Sequence, residues 1–109
     1  MTEPVDDTPI LDLLGKMTAD SLAASTLDLE TLALVRIAAL VAVGAPAVSY
    51  LLNLEAAAEL GIDGDRVRGV LAAIAPIVGT ARIAAATGNI VAALAVEIEI
   101  AILDEQSET

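Results

Sequence analysis

Apolar residues recur at three- and four-residue intervals along most of this chain, the spacing of helices that pack on one side. The first such stripe, Ile10, Leu13, Leu14, Met17 and Leu22, predicts a helix from Pro9 to Ala24. Thr8-Pro9 supplies a capping residue followed by proline at the first helical position, and Gly15 weakens the interior. Asp28 caps a second helix over 29–43, Glu30 suits the positive end of its dipole, and Gly44 ends it. A third runs from Pro46 to Leu60, with Gly61 as its left-handed cap. Asp63 caps a fourth through Val70, Leu71, Ile74 and Ile77, which Pro76 is expected to kink or end. The last runs from about Thr80 to Leu103 and is loosened at Thr87-Gly88-Asn89.

Val96-Glu97-Ile98-Glu99-Ile100 breaks the helical period by alternating strictly, as a half-buried strand does. No second segment is available to pair with it, so it is assigned to the last helix, with a partner-docking strand as the alternative. The ends read as a flexible acidic tail over 1–8 and a frayed tail over 104–109. Between them lies one helical domain, 9–103, of the all-α class. It has about five helices around a central antiparallel pair, 29–43 and 46–60.

Composition narrows the chemistry sharply. The chain of 109 residues contains no Cys, His, Trp or Phe, and its one aromatic residue is Tyr50. Thiol nucleophiles, thiolate metal sites, imidazole bases and Ser-His-Asp triads are therefore excluded, and no metal or other cofactor is expected. The net charge of −11 repels phosphate backbones and argues against nucleic-acid binding. The N-terminus is acidic and lacks the basic start and apolar run of a signal peptide, so a cytoplasmic location is expected. A mean hydropathy of +0.78 raises the question of a membrane span. The charge-free stretch Ile37 to Leu54 is broken by Gly44-Ala45-Pro46, and the later one by Arg82, so buried helices are the better reading. With 57% apolar residues and no large aromatic core, one domain of this size has more apolar surface than it hides. A homo-oligomer is the expected outlet.

The order and spacing over 27–94 resemble the carboxymuconolactone decarboxylase and alkylhydroperoxidase D-like family. Leu27-Asp28-x-x-Thr31 opens an apolar helix that ends at Gly44-Ala45-Pro46-Ala47-Val48. Leu54-x-Ala56-Ala57-x-x-Leu60-Gly61-Ile62 follows, then an acidic cap, Arg66-Val67-x-x-Val70-Leu71, and a glycine at Gly79 before an Ala-rich helix. The resemblance implies a helical fold and a trimer or hexamer. In its peroxidase branch a Glu, two Cys and a His form the reactive site, and the matching positions here are Ala33, Ala45, Val48 and Leu52. Apolar groups can neither stabilise a thiolate nor relay its proton. The decarboxylase branch needs a His, which is equally missing. The family site is vacated, and a non-catalytic, pseudoenzyme-like module is the leading expectation.

A small apolar or anionic ligand could occupy the vacated region, with Arg36, Tyr50, Asn53, Glu55 and Arg82 as candidate pocket residues. Each also has a plainer role. Arg36 and Arg82 are expected to pair structurally, Arg36 with Glu55 or Glu59, or to reach the surface. Tyr50 and Asn53 lie three apart on one helix face and suit a hydrogen-bonded interface pair. Glu55 and Glu59, at i and i+4, read as a solvated face; Asp63 and Asp65 read as capping residues, not a calcium loop. The alternatives are a cofactor-free isomerase or lyase acting on an organic acid through Tyr, Arg or Glu, and a small membrane-associated protein.

Overall fold

The computed structural model describes residues 8–107, with side chains given outside 96–101 and 104–107. The described residues form five helices and no strand: α1 (Thr8–Ala24), α2 (Leu29–Val43), α3 (Ala47–Glu59), α4 (Gly64–Val78) and α5 (Thr80–Ser107). The all-α reading holds, and 96–100 is helical.

The boundaries follow local chemistry. Asp28 accepts a hydrogen bond from the Thr31 amide at 2.8 Å, and Asp63 accepts one from the Arg66 amide at 3.0 Å. Each satisfies a backbone donor that the first helical turn leaves without a partner. Gly44 ends α2 at φ 70°, ψ 41°, a left-handed conformation that costs other residues steric strain, and its amide returns to the carbonyls of α2. Pro46 caps α3 from just outside rather than starting it.

Two sites expected to disturb their helices lie within unbroken helical segments. α4 passes through Pro76 to Val78, because Pro76 lies in the final turn and forfeits only the bond to the Ala72 carbonyl. α5 is continuous through Thr87-Gly88-Asn89. There Thr87 donates back to the Ile83 carbonyl at 2.9 Å, and the Asn89 amide donates to the Ala45 carbonyl at 3.3 Å. Those bonds, with the buried neighbours Ala86 and Ile90, offset the roughly 1 kcal/mol that a mid-helix glycine costs. The C-terminal helix also extends past Leu103 to Ser107, so the frayed tail expected from 104 is helical over most of its length. Residues 1–7 and 108–109 of the expected tails lie outside the described residues.

The core is assembled from three matched stripes. Ala33, Ile37 and Val41 fall at i, i+4 and i+8 of α2; Tyr50, Leu54 and Ala57 at i, i+4 and i+7 of α3; Ala86, Ile90 and Ala93 at the same spacing on α5. Val67 of α4 and Ile62 close one end. Small residues opposite large ones let the backbones approach without an aromatic core. An ion pair between Arg66 and Glu30 sets the start of α4 beside the start of α2. At the far end Arg82, at the start of α5, donates to the Ala42 carbonyl. α2 and α4 therefore run in one direction, with α3 and α5 returning.

α1 stands apart from this bundle. Among the described residues none of it is buried, and it makes no close backbone approach to any other helix.

Candidate functional site

The five candidate pocket residues do not converge; they separate into four places. Arg36 and Asn53 come together in a cleft of about 470 Å³ between α1 and the α2–α3 pair, which Met17, Ser21, Leu52 and Ala56 also line. A smaller adjoining cleft of about 240 Å³ shares Arg36 and Asn53 and is walled by Leu32, Ala33 and Glu59. Of the four apolar residues Ala33, Ala45, Val48 and Leu52, Ala33 and Leu52 border these clefts. Ala45 is buried in the core, whereas Val48 is exposed on α3.

Arg36 is only half buried and does not pair with Glu55 or Glu59. Its guanidinium reaches across to α1, 3.4 Å from the Thr18 carbonyl and 3.3 Å from the Ser21 hydroxyl. The side chain is long enough to bridge the gap to α1, and both acceptors there are neutral. Among the described residues its positive charge meets no carboxylate within ion-pair distance. Asn53 donates to the Ser49 carbonyl of its own helix at 2.9 Å.

Tyr50 lies elsewhere. It is 0% exposed in the centre of the core, and its hydroxyl has no hydrogen-bond partner among the described residues. The expected Tyr50–Asn53 pair is absent because Asn53 satisfies itself on its own helix. Burial pushes the Tyr50 phenol above its ordinary pKa, since the charged phenolate would have to form in an apolar interior. It is in no position to serve as an acid or base toward a solute.

Arg82 is exposed at the C-terminal end of α2, where its guanidinium satisfies a carbonyl and complements the negative end of the helix dipole. It, too, forms no ion pair among the described residues. Glu55 is exposed and lines none of these clefts, and Glu59 is exposed at the edge of the smaller one. Among the described residues no group of three acidic side chains is arranged to hold a metal ion. No helix described is long and apolar enough to cross a membrane.

The sequence reading missed two features. One is the Glu30–Arg66 ion pair, 36 positions apart, which no local spacing announces. The other is an apolar cleft of about 350 Å³ on another side of α3, walled by Leu54, Ile62, Val67, Leu71, Ile90 and Leu94. Its signal was available as Val67–Leu71 and Ile90–Leu94, two i, i+4 pairs on helices that follow one another. No protein-family model, curated protein or solved structure matches the chain.

Proposed function

We propose that this chain is a non-catalytic, self-assembling helical module with the layout of the carboxymuconolactone decarboxylase-like fold. The observation that carries this reading is the amount of surface it leaves in water. A compact protein of 11.0 kDa exposes about 5,600 Å², whereas this chain exposes 7779 Å². Much of it is apolar: Ile77 is 88% exposed, and Val43, Val48 and Leu52 are each 70% or more. Surface of this kind is ordinarily covered by another chain.

The non-catalytic part of the reading is supported by the separation of Tyr50, Glu55 and Arg82 from the Arg36–Asn53 cleft, which keeps three of the five candidate residues from acting together with Arg36. The ligand part narrows to that cleft. A small organic acid would set its carboxylate on Arg36, whose fork of donors suits it, and its apolar body on Leu52 and Met17. Trimer and hexamer are the assemblies the resemblance favours.

Sedimentation velocity on the full chain at micromolar concentration tests the reading. A species of three or six copies is expected; a stable monomer would remove the self-assembling function.

A further inference from the structure

We propose that α1 is the lid of the Arg36–Asn53 cleft and that it closes on a monocarboxylic acid with an apolar body. The proposal rests on the ligand reading above, to which it adds the element that responds and the charge of what it takes.

α1 stands over the cleft without being packed against it. The stripe Ile10, Leu14, Met17 and Ser21, at i, i+4, i+7 and i+11, turns toward the α2–α3 pair and brings Met17 and Ser21 to the cleft wall. Leu52 lies on the facing wall. Both apolar walls remain wet: Met17 is 56% exposed and Leu52 71%. Two ties hold α1 to the body, the non-helical connection 25–28 and the Arg36 guanidinium. The Arg36 contacts, at 3.3 and 3.4 Å, lie beyond the usual N–H···O range and end on a neutral hydroxyl and a neutral carbonyl.

The guanidinium accounts for the gap. If α1 settled onto the α2–α3 pair with nothing between them, Arg36 would lose water while facing neutral acceptors alone, and an unpaired cation is strongly unfavourable in such a place. A carboxylate removes that obstacle. α1 engages Arg36 through Nη2, and among the described residues Nη1 and Nε have no partner. The acid therefore meets free donors on the same guanidinium, and a charge-assisted bond is about twice as strong as a neutral one. With the charge matched, the apolar body fills the space between Met17 and Leu52, and α1 turns on the 25–28 connection to cover it.

The lining fixes the charge of the acid. Arg36 is the one charged side chain on the larger cleft, and the adjoining cleft adds the carboxylate of Glu59. One negative charge is matched there. A second would meet no cation and would be repelled by Glu59 and by the net charge of −11.

Octanoate tests this on the full chain, compared with 1-octanol, which lacks the charge, and succinate, which carries two charges and no apolar end. Calorimetry is expected to show octanoate binding more tightly than butyrate, by up to about fourfold per added methylene, and more tightly than either comparison compound. Amide exchange over 10–24 is expected to slow about tenfold with octanoate and to stay unchanged with 1-octanol. Arg36→Gln is expected to remove both the binding and the slowing. Met17→Ser, on an exposed position outside the core, is expected to remove the slowing while charge-dependent binding persists. Octanoate bound through Arg36 with α1 exchange unchanged overturns the lid and leaves the carboxylate site standing. Slowing that survives Arg36→Gln, or that sedimentation of the same samples finds only in larger species, also overturns the lid. Absence of octanoate binding overturns the lid and the ligand reading together, while self-assembly is decided separately by sedimentation of the unliganded chain.

Discussion

α1 and α2 are consecutive helices of similar length that both carry large apolar side chains, yet they meet opposite fates in this molecule. α2 buries Leu32, Ala33, Ile37 and Val41, the last two completely; α1 buries nothing. Burying a side chain of this size contributes about 1.5–3 kcal/mol, so the stability of the folded chain resides in the stripes of α2, α3 and α5. In α1 the same kind of residue contributes to the isolated subunit almost nothing. An amphipathic pattern specifies that a helix has an apolar face; it does not specify whose core that face joins.

The contrast is sharpest between Ile37 and Leu13. Ile37→Ala is expected to lower the free energy of unfolding by about 2–5 kcal/mol, the usual cost of emptying a buried branched side chain. Leu13→Ala, on a residue 58% exposed, is expected to change it by less than about 0.5 kcal/mol in dilute solution. Its effect should grow with protein concentration as assembly begins. Denaturant titrations at two concentrations check both. A loss at Leu13 as large as that at Ile37, at the lower concentration, would place α1 in its own subunit's core.

Tyr50 gives the next largest effect, and in the opposite direction. Its hydroxyl is buried without a partner among the described residues, so Tyr50→Phe is expected to stabilise the fold by about 1–3 kcal/mol. The wild-type chain should also lose stability at high pH. The phenol titrates at higher pH in the folded chain than in the unfolded one, so the unfolded state releases its proton first. The neutral ring's contribution is complete below about pH 10 and is lost as the pH rises through the folded pKa. Tyr50→Phe should remove that alkaline limb, and a limb that persists would assign it to another group.

The smallest effect belongs to a helix cap. The Thr31 amide bond holds the Asp28 carboxyl below its ordinary pKa, with Arg66 adding a weaker attraction. The charged cap therefore stabilises the fold above about pH 4, and its contribution fades as the pH falls through the lowered folded value. Melting curves should show a slight acid loss that Asp28→Asn reduces, since the amide still accepts the hydrogen bond but does not titrate in this range.

The sequence was most informative where the determinant is local. Asp28, Asp63 and Gly44 announce their boundaries because a cap needs only three or four neighbouring residues. Pro76 and Gly88 are local signals too, and neither splits its helix. Their local penalties are real, but a final turn and a well-packed neighbourhood absorb them. The candidate site was less legible. Arg36 and Asn53 share a cleft, yet Arg36 chooses neutral acceptors on α1 over the nearby carboxylates, a choice made by the path of α1 and not by spacing. Tyr50, the most conspicuous candidate in a chain so poor in aromatics, turned out to be the centre of the core. Its position in the stripe with Leu54 and Ala57 carried that information more reliably than its chemistry did.

The difference between α1 and the core is most directly measured by amide hydrogen exchange over a range of protein concentrations. Amides of α2, α3 and the first half of α5 should be protected at every concentration, since their burial is completed within one chain. Amides of α1 should exchange rapidly in dilute solution and become protected as the concentration rises into the micromolar range. Rapid exchange throughout α1 at every concentration would contradict its being covered on self-assembly.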